Sequence, residues 1–240
     1  MTAAHQPAGH LPAGHLSARS GTAARPTAAP DHRTPRGAAT RARIIEAAAD
    51  LVLARGAAGT SLDDIRAQTA TSKSQLFHYF PRGKNELVAE IAAVQAGRVL
   101  AAQRPYLDTL DTWAAWDGWR AAVLAHYGAQ AHWGCPVGAL AAEVASGDPA
   151  LAAELAGHLE EWRGCLEAGL TRMHAAGRLR PETDPRALSL AMFAALQGGL
   201  LLTQTMQSAE PLAAALDGAL AALHAAAAEP AGEAPATETS

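Results

Sequence analysis

The sequence has few of the residues on which disulfide-rich domains and β-sheet proteins depend. Among its 240 residues are two cysteines, three phenylalanines and three tyrosines. Two cysteines without a CxxC motif provide no disulfide framework, which is typical of a protein in a reducing cytosol. The scarcity of aromatic and β-branched residues beside abundant alanine favours helices over strands. We therefore expect a cytoplasmic, all-α protein.

Features of membrane proteins and enzymes are also missing. The N-terminus has no basic start followed by an apolar core, and no stretch approaches about 18 uninterrupted apolar residues. No Gly-rich phosphate loop follows a strand, no nucleophile has a base and an orienting group, and the histidines and acids lack metal-ligand spacing. We expect no membrane partner, catalytic residue, metal or cofactor. These absences argue against a helical enzyme that would use His126 or Cys135.

Charge is unevenly distributed along the chain. The formal net charge is −4, yet residues 1–88 carry eleven Lys and Arg against six Asp and Glu, and residues 89–240 carry eight against seventeen. A basic N-terminal part suits the phosphates of nucleic acid, and an acidic remainder belongs away from them.

The stretch SLDDIRAQTATSKSQLFHYFPRGKNE, residues 61–86, predicts two short helices joined by a tight turn. Ser61 with Asp64, and Ser72 with Gln75, have the spacing of capping boxes. The second helix is expected over residues 73–80, with Leu76, Phe77 and Phe80 facing inward. Pro81 ends it, and a basic loop then opens the next helix.

The outward side chains of that second helix suit base recognition in the major groove. Gln75 can pair with adenine, Lys73 with guanine or phosphate, and Ser74 with a base or a phosphate. Gln75 faces a conflict, because the same side chain is the predicted capping partner of Ser72. Lys84, at the start of the following helix, is placed to hold a phosphate.

The segments RIIEAAADLVLARGAAGTSLDDI and SKSQLFHYF, followed by Lys84, resemble the DNA-binding domain of the TetR family of transcriptional regulators over residues 40–87. The resemblance implies a helix-turn-helix domain whose DNA contacts are Lys73, Ser74, Gln75, His78, Tyr79 and Lys84. We also predict Thr60 and Ser72 as DNA-binding residues. Three departures are Phe77 where the family often has Tyr, Ala70 where it usually has Gly, and a loop lengthened at Arg82-Gly83. Phe77 lacks a hydroxyl, so a phosphate contact is not carried over to it.

We expect four segments: a disordered leader over residues 1–37, a three-helix DNA-binding domain over 38–88, a helical-bundle domain for ligand sensing and dimerisation over 89–228, and a disordered tail over 229–240. The leader contains a tandem PAGHL repeat and no apolar periodicity. Its His5, His10 and His15 recur every five residues, which leaves metal binding as an alternative to a solvated tail.

The helices before and after the predicted helix-turn-helix segment, residues 61–80, have separate expected roles. The first is predicted over Thr40 to Arg55 and packs on the next two. The fourth is predicted from Lys84 to Pro105, and the resemblance implies that a small pivot of this helix moves the recognition helices.

The second domain contains a predicted helix over residues 111–131 that mixes aromatic and isolated polar side chains on one face. Wide apolar walls with a few hydrogen-bonding groups are typical of a ligand pocket, although for each tryptophan the hydrophobic core is the favoured place. The predicted pocket residues are Trp116, Trp119, His126, Tyr127, Gln130, Trp133 and Cys135. Such walls predict a mostly hydrophobic small-molecule effector.

The segment GCPVG, residues 134–138, resembles the sensor domains of LmrA and YxaF type within the same family. Cys135 is a candidate redox or electrophile sensor, and the alternative is a buried, inert thiol.

Two apolar helices are expected at the end of the chain, over residues 185–207 and 211–227. Together with their symmetry mates they would form a four-helix dimer interface, as the resemblance also implies. A homodimer would place two recognition helices on a near-palindromic double-stranded operator. The predicted function is a repressor released by a small molecule; an activator, or a regulator with a protein or redox signal, remains the alternative.

Overall fold

The computed structural model describes residues 34–130, 134–145 and 147–229, and within these ranges the chain forms helices and no β-strand, which confirms the all-α prediction. The α helices are α1 (Pro35–Arg55), α2 (Leu62–Thr69), α3 (Lys73–Tyr79), α4 (Lys84–Ala102), α5 (Trp113–Gly128), α6 (Pro136–Val144), α7 (Pro149–Ala175), α8 (Pro185–Met206) and α9 (Glu210–Ala225). Residues 1–33 and 230–240 of the predicted leader and tail lie outside the described residues.

Helix α1 begins five residues before its predicted start. Pro35 occupies the first helical position, where its missing N–H costs nothing, and the Thr34 hydroxyl accepts from the Gly37 N–H at 3.1 Å. The expectation that residues 35–37 belong to a disordered leader is therefore wrong. Threonine followed by proline is a start signal that a search for apolar periodicity overlooks.

The first hydrophobic core joins the helix-turn-helix segment to the rest of the protein. Ile44, Ile65 and Leu76 from α1, α2 and α3 are buried together, and Leu140 of α6 and Leu155 of α7 belong to the same cluster. Helix α4 runs without interruption through the expected boundary at residue 88. The recognition segment consequently rests on α6 and α7 as well as on its own helices.

The second core is built on α5, α7, α8 and α9 around aromatic side chains, among which Trp116, Trp119 and Trp162 are buried. Gln103, just after α4, is fully buried between two of these rings. Its Oε1 accepts from Trp119 Nε1 at 2.7 Å and from Trp162 Nε1 at 3.0 Å, and its Nε2 donates to the Val99 carbonyl at 2.8 Å. One amide thus satisfies both buried indole N–H groups.

Helix α8 has one face packed and one face open. Gly199 lets α9 approach closely, since a Cβ there would lie 2.8 Å from the Ala215 Cβ. On the open face, four large apolar side chains are 50–63% exposed: Leu190, Leu201, Leu202 and Met206. Among the described residues, α8 is the one helix long and apolar enough to cross a membrane by length and composition, a test that core helices also pass.

Candidate nucleic-acid interface and adjoining cavity

Both predicted capping boxes are confirmed. The Asp64 N–H donates to Ser61 Oγ at 3.1 Å and the Ser61 N–H to Asp64 Oδ2 at 2.8 Å, which starts α2. The hydrogen bonds from Ser61 hold the pKa of Asp64 below its usual value. At the start of α3, the Gln75 N–H donates to Ser72 Oγ and the Ser72 N–H to Gln75 Oε1, both at 3.1 Å.

The turn between α2 and α3 is made by Ala70 in a left-handed conformation, with φ 49° and ψ 38°. A residue with a Cβ is strained there, which explains why glycine is usual at this place in the family. The turn sets the angle between α2 and α3. The fold therefore requires the left-handed conformation at this position despite its strain.

We expect Ala70→Gly to raise the free energy of unfolding by up to about 1 kcal/mol, because relief of the left-handed strain exceeds the added flexibility of the unfolded chain. Urea unfolding at fixed protein concentration measures the change. Ala67→Gly, the same substitution inside α2, is the control and should destabilise by about 1 kcal/mol. Loss of stability in both variants would contradict the assigned strain.

Helix α3 presents its N-terminal turn to solvent. Lys73, Ser74 and Gln75 are exposed, whereas Leu76 and Phe80 are buried beneath them. The prediction that Phe77 faces inward is wrong: its side chain is 40% exposed. One position after Leu76 is a rotation of about 100° around a helix, so Phe77 leaves the Leu76–Phe80 stripe and lies beside Gly83.

The other predicted DNA contacts occupy different environments. His78 is exposed and Tyr79 half-buried, with ring centroids 5.1 Å apart in an edge-to-face arrangement. Lys84 is half-buried in the first turn of α4, directly after Gly83, whose φ is 73°. Thr60 is fully buried and its hydroxyl donates to the Gly56 carbonyl at 2.8 Å, so the structure corrects its placement on the DNA-facing surface.

Two polar contacts connect the DNA-binding domain and the start of α4 to helices α6 and α7. The Glu143 carboxylate of α6 accepts from the Ala57 N–H at 2.7 Å and from the Ala58 N–H, in the turn between α1 and α2. Gly56 lacks the Cβ that would lie 3.2 Å from that carboxylate. Asn85 of α4 donates to Asp148 at 2.8 Å, and Asp148 also caps α7.

A cavity of about 330 Å³ lies at the start of α6. Its lining comes from α1, α4, α5, the start of α6, and α8: Asp50, Leu53, Gln95, Arg98, Val99, His126, Gln130, Gly134, Cys135, Pro136, Ala139 and Gln204. Of the predicted pocket residues, His126, Gln130 and Cys135 are brought together here. Trp133 lies outside the described residues.

Trp116, Trp119 and Tyr127 are placed in the packed core and not on this cavity wall. Trp116 Nε1 contacts Met173 Sδ at 3.0 Å and Trp119 Nε1 donates to Gln103, so both indoles are satisfied internally. The contributions of α1, α4 and α8 were missed. The available signal was Gln95, the one polar residue on the face of α4 that is otherwise made of apolar residues such as Ile91 and Val99.

Burial is the main cause of the shifted pKa of two side chains in the cavity wall, His126 and Cys135. Burial lowers the pKa of His126, whose Nε2 lies 2.7 Å from the Gln130 amide nitrogen, so the ring is neutral at pH 7. Burial raises the pKa of Cys135, and its Sγ accepts from the Gly138 N–H at 3.3 Å as the N-cap of α6. The thiol form therefore dominates at neutral pH, which disfavours nucleophilic reactivity. Over the described ranges no group of three His, Cys, Asp or Glu side chains converges to hold a metal ion.

Two family models match the chain. Residues 44–91 match "Bacterial regulatory proteins, tetR family", and residues 113–219 match "Tetracyclin repressor-like, C-terminal domain". The finer resemblance of residues 134–138 to LmrA and YxaF is not addressed by either match and stays a prediction.

Among similar sequences is an uncharacterized HTH-type transcriptional regulator of Lactococcus lactis subsp. lactis, 26% identical over 185 residues, which cover 74% of this chain and 90% of the relative. Another is an uncharacterized HTH-type transcriptional regulator of Mycobacterium tuberculosis, 27% identical over 183 residues, covering 72% and 88%.

Solved structures share the fold. A TetR transcriptional regulator from Chloroflexus aurantiacus superposes with a TM-score of 0.69 at 24% identity, covering 81% of this chain and 98% of that one. A TetR-family regulator from Cytophaga hutchinsonii gives 0.70 at 19% identity, covering 82% and 100%. The reduced form of NemR from E. coli gives 0.59 at 22% identity, covering 80% and 100%.

Proposed function

Because this chain belongs to the TetR family of transcriptional regulators, we propose that it is a cytoplasmic repressor that binds a near-palindromic operator as a homodimer and is released by a small molecule. The observation that carries the proposal is the exposed N-terminal turn of α3, where Lys73, Ser74 and Gln75 project beyond a buried Leu76. Such a turn is what enters the major groove in a helix-turn-helix protein.

The open face of α8 supports dimerisation. Its exposed Leu190, Leu201, Leu202 and Met206 lie along a single helix, and an apolar surface of this kind in a DNA-binding protein calls for a protein partner. A second copy of the same face satisfies that need by symmetry. It also accounts for the membrane-like hydropathy of α8 without a membrane.

The cavity supports regulation by a small molecule. Its floor is the start of α6, through Cys135, Pro136 and Ala139, and the far end of the same helix carries Glu143, which holds the turn between α1 and α2. A molecule that fits only one position of α6 would shift the equilibrium between DNA-binding and released forms. The raised pKa of Cys135 favours this signal over a redox signal at that thiol.

Selection of genomic fragments by the purified full-length protein at physiological salt tests the proposal. We expect the retained fragments to share an inverted repeat that overlaps a promoter. The position of the repeat separates a repressor from the alternative, an activator, because an activator binds upstream of the promoter elements. Retention without a shared sequence would contradict operator recognition.

Gln75→Ala and Lys84→Ala should weaken binding in different ways. Loss of Gln75 should cost roughly 1–3 kcal/mol and relax preference at one base pair, and loss of Lys84 should weaken all sequences alike and flatten the salt dependence. Gln75→Ala also removes one of the two hydrogen bonds of the capping box of α3, so the unfolding of this variant must be measured beside its DNA affinity. Gln68→Ala on the exposed surface of α2 is the control. Identical salt slopes and base preferences for the Gln75 and Lys84 variants would contradict the assigned roles.

A further inference from the structure

The cavity wall carries three side-chain amides, two from helices and one from the segment after a third helix. Gln95 comes from α4, Gln130 lies just beyond α5, and Gln204 belongs to α8, although these residues are far apart in the sequence. Each primary amide offers two donors and an acceptor, and the contact with His126 occupies one donor of Gln130, which leaves its other donor and its acceptor. A ligand group that itself has both a donor and an acceptor complements such a wall better than one that has only acceptors.

The charges around the cavity argue against an anionic ligand. Arg98 is ion-paired with Glu46, and Asp50, one turn further along α1, adds a second acid that raises the pKa of Arg98. The neutral form of His126 predominates at pH 7 because burial lowers its pKa. Among the residues that line the cavity, the one permanent cation is therefore already balanced by acids. A carboxylate or phosphate bound there would find no cation that is not already paired.

The remaining wall is apolar and the space is small. Leu53, Val99, Pro136 and Ala139 provide hydrocarbon surface beside the amides. The cavity volume of about 330 Å³ lies at the lower end of the roughly 300–1,000 Å³ found for small-molecule sites. This combination suits a compact ring with one polar group, and it departs from the mostly hydrophobic effector that the tryptophans suggested.

We propose that the cavity binds a small neutral ring compound bearing a carboxamide or lactam, whose N–H and C=O groups pair with the amides of Gln130 and Gln204. The effect of this compound on DNA binding rests on the function proposed above, but the binding of the compound to the cavity does not. Asp50 and Leu53 belong to α1, so the bound compound contacts the DNA-binding domain directly as well as α6. The signal then does not have to travel through α4 alone.

Three matched probes test the ligand class: 4-fluorobenzamide, 4-fluorobenzoate and 4-fluorotoluene, which share a ring and differ in one group. Each is titrated into the full-length protein and followed by fluorine NMR. We expect the benzamide to bind at least about tenfold more tightly than either of the others. Gln130→Met and Gln204→Met keep the side-chain volume and should each weaken benzamide binding roughly fivefold. Gln68→Met, exposed on α2, should leave it unchanged.

Every other outcome overturns the assignment. Tightest binding of the benzoate would mark an anion site, and equal binding of the toluene would mark purely apolar recognition. No measurable binding of any probe, or equal loss in the Gln68→Met variant, would show that the amides do not form the site. Operator selection by the same preparation separates the two proposals. If the protein selects its operator but does not bind the benzamide, only the proposed ligand class is wrong. If it binds the benzamide but selects no DNA sequence, the proposed function is wrong.

Discussion

Replacing Gln103 by leucine should lower the free energy of unfolding by about 2–5 kcal/mol, because the indole N–H groups of Trp119 and Trp162 would both remain buried without an acceptor. Leucine is close to glutamine in volume, so cavity formation adds little to the loss. Urea unfolding followed by tryptophan fluorescence measures it at fixed protein concentration, since a dimer's stability depends on concentration.

The physical cause can be isolated with a double-mutant cycle. Phenylalanine at position 162 has no N–H to satisfy, so Gln103→Leu should cost about 1 kcal/mol less in a Trp162→Phe background. Gln68→Leu, on the exposed surface of α2, serves as the control and should change stability by less than about 0.5 kcal/mol. Strict additivity of the two core substitutions would show that Gln103 acts through packing and not through its shared acceptor.

A charge on the open face of α8 should separate the protomers. By symmetry Leu201→Glu changes both sides of the proposed interface, which removes two buried leucines at about 1.5–3 kcal/mol each before the cost of desolvating the glutamates. We expect the dimer dissociation constant to rise roughly a hundredfold or more. Operator affinity should fall with it, because one recognition helix alone makes half of the contacts. Analytical ultracentrifugation and DNA titration measure the two effects.

Ala168→Glu is the matched control, since it places the same charge on an exposed position of α7. It should leave both the mass and the operator affinity unchanged. A Leu201→Glu protein that stays dimeric with full DNA affinity would place the interface elsewhere. A protein that becomes monomeric while its circular dichroism and urea midpoint collapse would instead show that the monomer does not fold alone.

Local signals were sufficient for the helix-turn-helix segment. Ser61 with Asp64, and Ser72 with Gln75, start helices through contacts within four residues, so spacing alone predicts them. Asp148 before Pro149 likewise marks the start of the long α7. The error at Phe77 came from counting three apolar residues as one stripe, although adjacent positions on a helix diverge.

The cavity and the Gln103 contact depend on tertiary structure that no local pattern encodes. Trp162 is 59 residues from Gln103, and Asp50 is separated from Gln204 by most of the protein. In the sequence, polar residues such as Gln95 and Gln103 look like surface residues. Only the tertiary structure shows that they are buried. The tryptophans suggested a pocket, but the Trp119 N–H donates to an acceptor within the core. The polar groups that line the cavity come largely from glutamines.

The contact between Glu143 of α6 and the α1–α2 turn tolerates only a limited displacement. One carboxylate holds two successive backbone N–H groups, and neither can be kept if the helix end moves by much more than the width of a hydrogen bond. Helix α6 has nine residues and is about 13 Å long, so a rigid-body movement of its cavity end also moves Glu143. We therefore expect a displacement of α6 that exceeds this distance to release both N–H groups of the α1–α2 turn together.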